Sequence, residues 1–274
     1  MNRVDAAFRQ LRREGRKAFM PFLVAGDPSL ETTGRILREI EERGVADLVE
    51  LGVPYSDPIA DGPVIQASYQ RALGAGVTPQ GILDGIARWR REGLQLPVCL
   101  MTAYALVLRP GVEAFVARAA EAGVDGLIVP DLPVDESGAL GGELAKRGLA
   151  HVLLIAPTTS ESRRERILEH GTGFIYCVSV TGITGERKTL PPDLEAYIRG
   201  VKKKAKIPVC VGFGISRPEH VKAVAAAADG AIVGSALVHL AADHAKDSPQ
   251  RLATAVADLC ESLARPLRGK VQRS

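Results

Sequence analysis

The chain has 274 residues, 46% of them hydrophobic, and a formal net charge of +3. That is ample for one sizeable core, and a weak, dispersed positive charge without aromatic–basic interleaving argues against a nucleic-acid surface. No apolar run reaches the roughly 20 residues of a membrane span, and no charged-then-apolar leader appears, so a soluble, cytoplasmic protein is expected. Cys99, Cys177, Cys210 and Cys260 have no metal-ligand spacing. The first three lie in apolar runs, which predicts buried thiols in a reducing compartment.

In chain order, the first 14 residues, VDAAFRQLRREG included, read as an extra helix closing the bottom of the fold. A strand is expected at 18–24, then a helix over 29–43 with Ser29 as its cap, Glu31 and Thr32 in its first turn and Gly44 as its stop. The next strand is 46–51. Residues 62–92 are long for one crossover and predict an extra helix at 62–74, split from 79–92 by GAGVTP. Strands follow at 97–101, 125–129, 151–155, 173–178, 208–212 and 230–233, with a helix at 112–122 ended by Gly123. The corners at 44–47 (Gly-Val-Ala-Asp) and 123–126 (Gly-Val-Asp-Gly) look equivalent. No Pro/Gly/Ser-rich linker divides the chain, so a single domain over 1–274 is expected, with a frayed tail after about residue 264. Eight strands alternating with helices predict an α/β fold, a closed (β/α)8 TIM barrel; an open doubly wound sheet is the alternative.

Chemistry in such a barrel gathers at the C-terminal ends of the strands. Glu50 stands near the end of the second strand, on the same face as Leu48. A carboxyl group in an apolar strand is costly unless it is paired or functional, and desolvation raises its pKa toward neutrality. Asp57 and Asp61 follow in the rigid loop YSDPIADGP. Asp61 reads either as a second acid/base group or as the cap of the helix at 62–74, and Asp57 as a turn former or a brace for the loop. TGITGE at 181–186, GFGIS at 212–216 and GSA at 234–236 each follow a strand. Glycines let backbone approach an anion and a helix start offers unpaired donors, so these loops predict a phosphate site; tight turns are the plainer reading. Tyr176 points either into the core or toward Glu50, and Phe22, Leu100, Leu127 and Phe213 are candidates for an apolar wall. No lysine lies in the C-terminal half of a strand and the five histidines are not metal-spaced, which favours proton transfer by carboxyl groups over Schiff-base or metal chemistry.

FLVAGDPS at 22–29, ELGVPYSDPIADGPVIQ at 50–66, GVDGLIVPDLP at 123–133, YCVSVTGITGER at 176–187, VGFGIS at 211–216 and VGSALV at 233–238 together closely resemble the tryptophan synthase alpha subunit family, over nearly the whole chain. The resemblance implies a cofactor-free lyase that cleaves indole-3-glycerol phosphate to indole and glyceraldehyde 3-phosphate. It implies Glu50 as general acid/base, Asp61 as partner of the indole N–H, Tyr176 beside Glu50, Gly185, Gly214, Gly234 and Ser235 around the phosphate, and Thr184 on a loop that closes over substrate. It also implies docking to a beta subunit that uses pyridoxal phosphate, in an alpha2beta2 assembly. The chain departs from the family pattern at Ala103, where relatives often have tyrosine, at Ala105 and Leu106, where many have Asn-Pro or Asn-Leu, and at Pro110 and Val24. These departures bear on beta-subunit coupling and ring specificity, and leave a stand-alone or duplicate indole-releasing lyase as the alternative. A different phosphate-handling barrel, such as a cofactor-free isomerase, and a catalytically idle binding subunit are the readings from outside this activity.

Overall fold

A left-handed glycine, Gly15, ends helix α1 (Arg3–Glu14) and turns the chain into strand β1 (Ala18–Val24). The computed structural model describes residues 2–58, 61–178, 191–212 and 214–268. The elements that follow are α2 (Leu30–Glu42), β2 (Val49–Gly52), α3 (Pro63–Gly74), α4 (Pro79–Arg91), β3 (Val98–Met101), α5 (Tyr104–Leu108), α6 (Val112–Ala122), β4 (Gly126–Ile128), α7 (Gly138–Lys146), β5 (Ala150–Ile155), α8 (Glu161–His170), β6 (Ile175–Val178), α9 (Leu194–Lys204), β7 (Val209–Gly212), α10 (Pro218–Ala225), β8 (Gly230–Val233), α11 (Ser235–Asp243) and α12 (Pro249–Arg268). The eight strands pair in parallel, in sequence order, and β8 closes on β1. The barrel is thus the predicted one, and the doubly wound alternative is set aside. Ser29 caps α2 as expected, its hydroxyl accepting the Thr32 N–H at 3.1 Å.

Of the frayed tail expected after about residue 264, residues 265–268 are helical. Helix α12 continues to Arg268, with Ala264 and Leu267 buried. Pro266 removes one helical hydrogen bond, but the apolar stripe through Val256, Cys260, Leu263 and Leu267 keeps packing on the barrel. Residues 269–274 lie outside the described residues.

The strands divide their side chains between two cores by alternation. Met20, Phe22, Leu48, Cys99, Met101, Ile128, Tyr176 and Ile232 belong to the cluster inside the barrel. Phe19, Leu23, Val49, Leu51, Leu100, Leu127, Val211 and Val233 belong to the layer between strands and helices. The four cysteines are buried free thiols. Helix α1 closes the bottom by sending Val4, Phe8 and Leu11 into the inner cluster, where the Phe8 and Phe174 rings lie 5.8 Å apart.

Three aspartates repeat one device at the bottom of the barrel. Asp47, Asp125 and Asp229 each stand before a strand and accept the backbone N–H of the preceding strand, from Phe19 (2.8 Å), Val98 (2.9 Å) and Val209 (3.0 Å). Each also meets a cation: Arg16, Arg90 and Lys202 respectively. The two corners that look alike in sequence therefore do the same work. Asp125 is the most enclosed of the three, bonded to Arg3 (3.0 Å) and Arg90 (2.7 Å). Asp125→Ala leaves the Val98 N–H unpaired and takes the carboxylate from Arg90, which keeps the Gly123, Leu94 and Leu96 carbonyls, and we expect a loss of roughly 1–3 kcal/mol in chemical denaturation.

Candidate active site

Strand β2 carries Glu50 at the upper rim of the inner cluster, with Phe22 and Cys99 as its register partners on β1 and β3. The side chain is 0% exposed and neither carboxylate oxygen has a hydrogen-bond partner. A buried, unpaired carboxylate is expensive, so burial first, and the nearby Asp61 charge second, push the Glu50 pKa up to about 8. Burial also raises Asp61, to about 6.

Asp61 is not the cap of α3. Gly62 occupies the cap position, without a side-chain bond, and Pro63 begins the helix. The backbone around Asp61 is instead fixed by its own N–H to the Pro58 carbonyl (3.2 Å) and by Gln66, whose amide donates to the Asp61 carbonyl (2.7 Å). Helix α3 is in turn pinned to the exit of β1. The buried Asp27 carboxylate accepts from the Ser68 hydroxyl and from Arg71, through Nε at 2.9 Å and Nη2 at 2.5 Å.

The mouth opens on a cavity. Of the residues singled out in the sequence, Phe22, Glu50, Asp61, Tyr176, Gly214, Gly234 and Ser235 line it. Leu100 and Leu127 do not; both lie in the layer beneath the helices. They occupy the outward row of β3 and β4, in register with each other and with Leu51. The inward row is Cys99, Met101 and Ile128, and Met101 forms the wall that Leu100 was expected to supply. Thr184, Gly185 and Phe213 lie outside the described residues. Asp57 is exposed, bonded by the Ser56 hydroxyl at 2.6 Å.

Sequence reasoning missed Ile65, Ile215, Ile232 and Met101 in this lining. It also missed Tyr69, which is buried one helical turn after Ile65. The i, i+4 spacing of Ile65 and Tyr69 was the available signal. Burial, and then the charges of Asp61 and Glu50, hold the Tyr69 phenol well above its usual pKa, so it stays protonated. Tyr176 is raised too, by burial and then by Glu50 and Asp61. Glycines make room for these rings. A Cβ on Gly212 would lie 2.2 Å from the Tyr176 hydroxyl, and one on Gly52 would lie 2.7 Å from the Phe22 ring and 3.1 Å from the Tyr69 hydroxyl.

On the same cavity, beyond β1 from the acidic pair, α11 starts at Ser235 after Gly234. The Gly234 carbonyl accepts the N–H groups of Leu237 (2.8 Å) and Val238 (3.0 Å). The N–H groups of Ser235 and Ala236 precede the first helical bond and face an anion-favouring helix end. Gly214, with φ +76°, brings the β7 loop to the same rim. Among the described residues no cluster of three His, Cys, Asp or Glu side chains is placed to hold a metal ion, and no helix is long and apolar enough to cross a membrane.

A closed (β/α)8 barrel with two carboxyl groups of raised pKa and a helix start on one cavity defines a barrel suited to acid–base chemistry. The model of the tryptophan synthase alpha chain family matches residues 8–267. The tryptophan synthase alpha chain of Synechococcus sp. (strain CC9902) is 51% identical over 232 residues, 84% of this chain and 86% of that one. That of Methanocaldococcus jannaschii is 44% identical over 243 residues, covering 89% and 86%. The crystal structure of tryptophan synthase subunit alpha from Legionella pneumophila str. Paris superposes with a TM-score of 0.88 at 36% identity, over 97% of this chain and 98% of that chain. Tryptophan synthase of Mycobacterium tuberculosis in space group F222 gives a TM-score of 0.87 at 33% identity, over 98% and 99%. The chain belongs to the tryptophan synthase alpha chain family.

The raised Glu50 pKa has a sign. Between the ordinary value of 4.5 and about 8 the folded state holds a proton that the unfolded state releases, so stability falls as pH rises through that window. Glu50→Gln removes this loss. The variant should gain stability over the parent at pH 8.5, by an amount on the order of a few kcal/mol, and show little difference at pH 4.5; thermal unfolding at the two pH values checks this.

Proposed function

We infer that Glu50, Asp61 and the α11 helix start carry the reaction of this family, the cleavage of indole-3-glycerol phosphate to indole and glyceraldehyde 3-phosphate. The observation that carries the assignment is the unpaired, fully buried Glu50 carboxyl group beside Asp61 in the cavity. Gly214, Gly234 and Ser235 take the phosphate, with Gly185 as the further contact implied by the family pattern. Phe22 and Met101 flank the ring.

A pKa near 8 keeps Glu50 protonated at neutral pH, while Asp61 is ionised above about 6. Glu50 gives its proton to indole C3. The ring nitrogen then bears positive charge, and the Asp61 carboxylate holds its N–H. The bond from C3 to the glycerol carbon breaks, its electron pair flows into the ring, and the hydroxyl on that carbon becomes the aldehyde. The hydroxyl proton returns to the Glu50 carboxylate, which restores the resting acid. The protonated Tyr176 phenol lines the same cavity as Glu50. No amine or electrophilic cofactor is needed, because the protonated indole is itself the electron sink.

The partner of this subunit is a tryptophan synthase beta subunit, and the face assigned to it is the rim formed by the β2 loop and α5. There Ala105 and Pro110 are exposed, Leu108 is 51% exposed, and Leu106 is half-buried against the core. Loss of an amide at 105 removes directed hydrogen bonds from that rim, so coupling weaker than in an Asn-bearing relative supports the stand-alone reading.

Indole release from indole-3-glycerol phosphate tests the assignment, measured alone and during titration with beta subunit. Release should follow a bell-shaped kcat/KM with limbs near pH 6 and pH 8. Glu50→Gln should lower kcat by about 10²–10⁴-fold while still binding the phosphate ester. Folded protein that releases no indole in either condition would overturn it.

A further inference from the structure

A second cavity, about 740 Å³ and open to solvent, adjoins the catalytic one, and Asp61 and Met101 line both. Its lining is largely apolar, with Val53, Met101, Ala103 and Pro130 beside Tyr69 and Thr102, while Asp57 and Asp131 are exposed. Asp131 is held there by the Tyr104 N–H, which it receives with both carboxylate oxygens at 3.0 Å. Position 103, on its lining, carries only a methyl group. The backbone there is extended (φ −71°, ψ 143°), a conformation open to any larger residue.

We propose that this cavity is a substituent pocket for the aromatic ring of the substrate, with Ala103 as its specificity-determining residue, so that indole glycerol phosphates bearing small apolar groups on the six-membered ring are substrates of this chain. The proposal rests on the assignment of Glu50 and Asp61 to the indole nucleus. With the phosphate at the start of α11, C3 at Glu50 and the ring N–H at Asp61, the ring lies on Met101, at the partition between the two spaces. Its six-membered edge is then the part of the substrate farthest from the phosphate and faces the second cavity. A methyl or chloro group there leaves water for an apolar surface. A carboxylate there meets Asp57 and Asp131 and is repelled.

One methyl group gained or lost in an apolar pocket changes kcat/KM by about 10–200-fold, which sets the scale of the test. We expect the purified chain, alone and with beta subunit, to cleave ring-methylated and ring-chlorinated indole-3-glycerol phosphates within about 10-fold of the unsubstituted compound. The ring-carboxylated analogue should fall at least about 10-fold below its methyl counterpart. In Ala103→Phe the ratio of kcat/KM for methylated over unsubstituted substrate should drop by at least about 10-fold, and in Ala103→Leu by less. Ala103→Leu carries the test if the phenylalanine variant does not fold. Calorimetric binding of methylated and unsubstituted indole-propanol phosphates reads the same ratio without turnover. Loss of cleavage with that ratio intact therefore indicts the assigned reaction, not the pocket. The proposal is overturned if the parent protein disfavours the methylated ligand by more than about 100-fold, or if both Ala103 variants leave the ratio unchanged.

Discussion

A carboxyl group with no hydrogen-bond partner, closed off from water by the inner face of a barrel, is the constraint around which this molecule is built. Glu50 is surrounded by the rim of an apolar cluster. Such a group is tolerated only by remaining protonated across the neutral range, and that is also the form in which it can act as an acid. The cost in stability and the proton that the group keeps at neutral pH are one electrostatic fact. Asp61 shares the cavity but is less enclosed, and its pKa is raised less. Two like groups thereby acquire different protonation states at one pH.

Holding the pair in place takes structure on several strands. Asp61 lies in the loop leading into α3, and α3 is anchored not to its own strand but to the exit of β1, through Asp27, Ser68 and Arg71. The same helix sends Ile65 into the catalytic cavity and Tyr69 into the adjoining one. Gly52 and Gly212, at the ends of β2 and β7, leave out side chains where Phe22, Tyr69 and Tyr176 need to lie. The aromatic wall thus depends on absences at strand ends as much as on the rings themselves. At the other end of the barrel, Asp47, Asp125 and Asp229 tie neighbouring strands and their cations together. The polar chemistry of the bottom is satisfied, and that of the top is left open.

The departures at the β3 loop fall where the second cavity and the α5 rim meet. Ala103 lines that cavity together with Asp61, and Ala105 and Pro110 are exposed. On the proposed assignment the acid–base pair sits on β2 and its loop, whereas the space around the ring and the face toward a partner belong to the loop that follows β3.

Much of this was legible in the residue order. Alternating apolar runs and glycine-bounded amphipathic segments specify parallel strands covered by helices, and a barrel places chemistry at strand ends, so Glu50, Asp61 and the Gly234–Ser235 turn stood out on local grounds. What the sequence left undecided was which face each short strand turns inward. In runs such as Val98–Met101 and Gly126–Ile128 nearly every residue is apolar, because both faces of the strand are buried. Alternation then carries no signal, and only pairing in the closed sheet put Met101 and Ile128 inside and Leu100 and Leu127 under the helices. The role of Tyr69 and the clamp from Asp27 to Arg71 were likewise decided in space, since they join segments 44 residues apart whose contact no local pattern encodes.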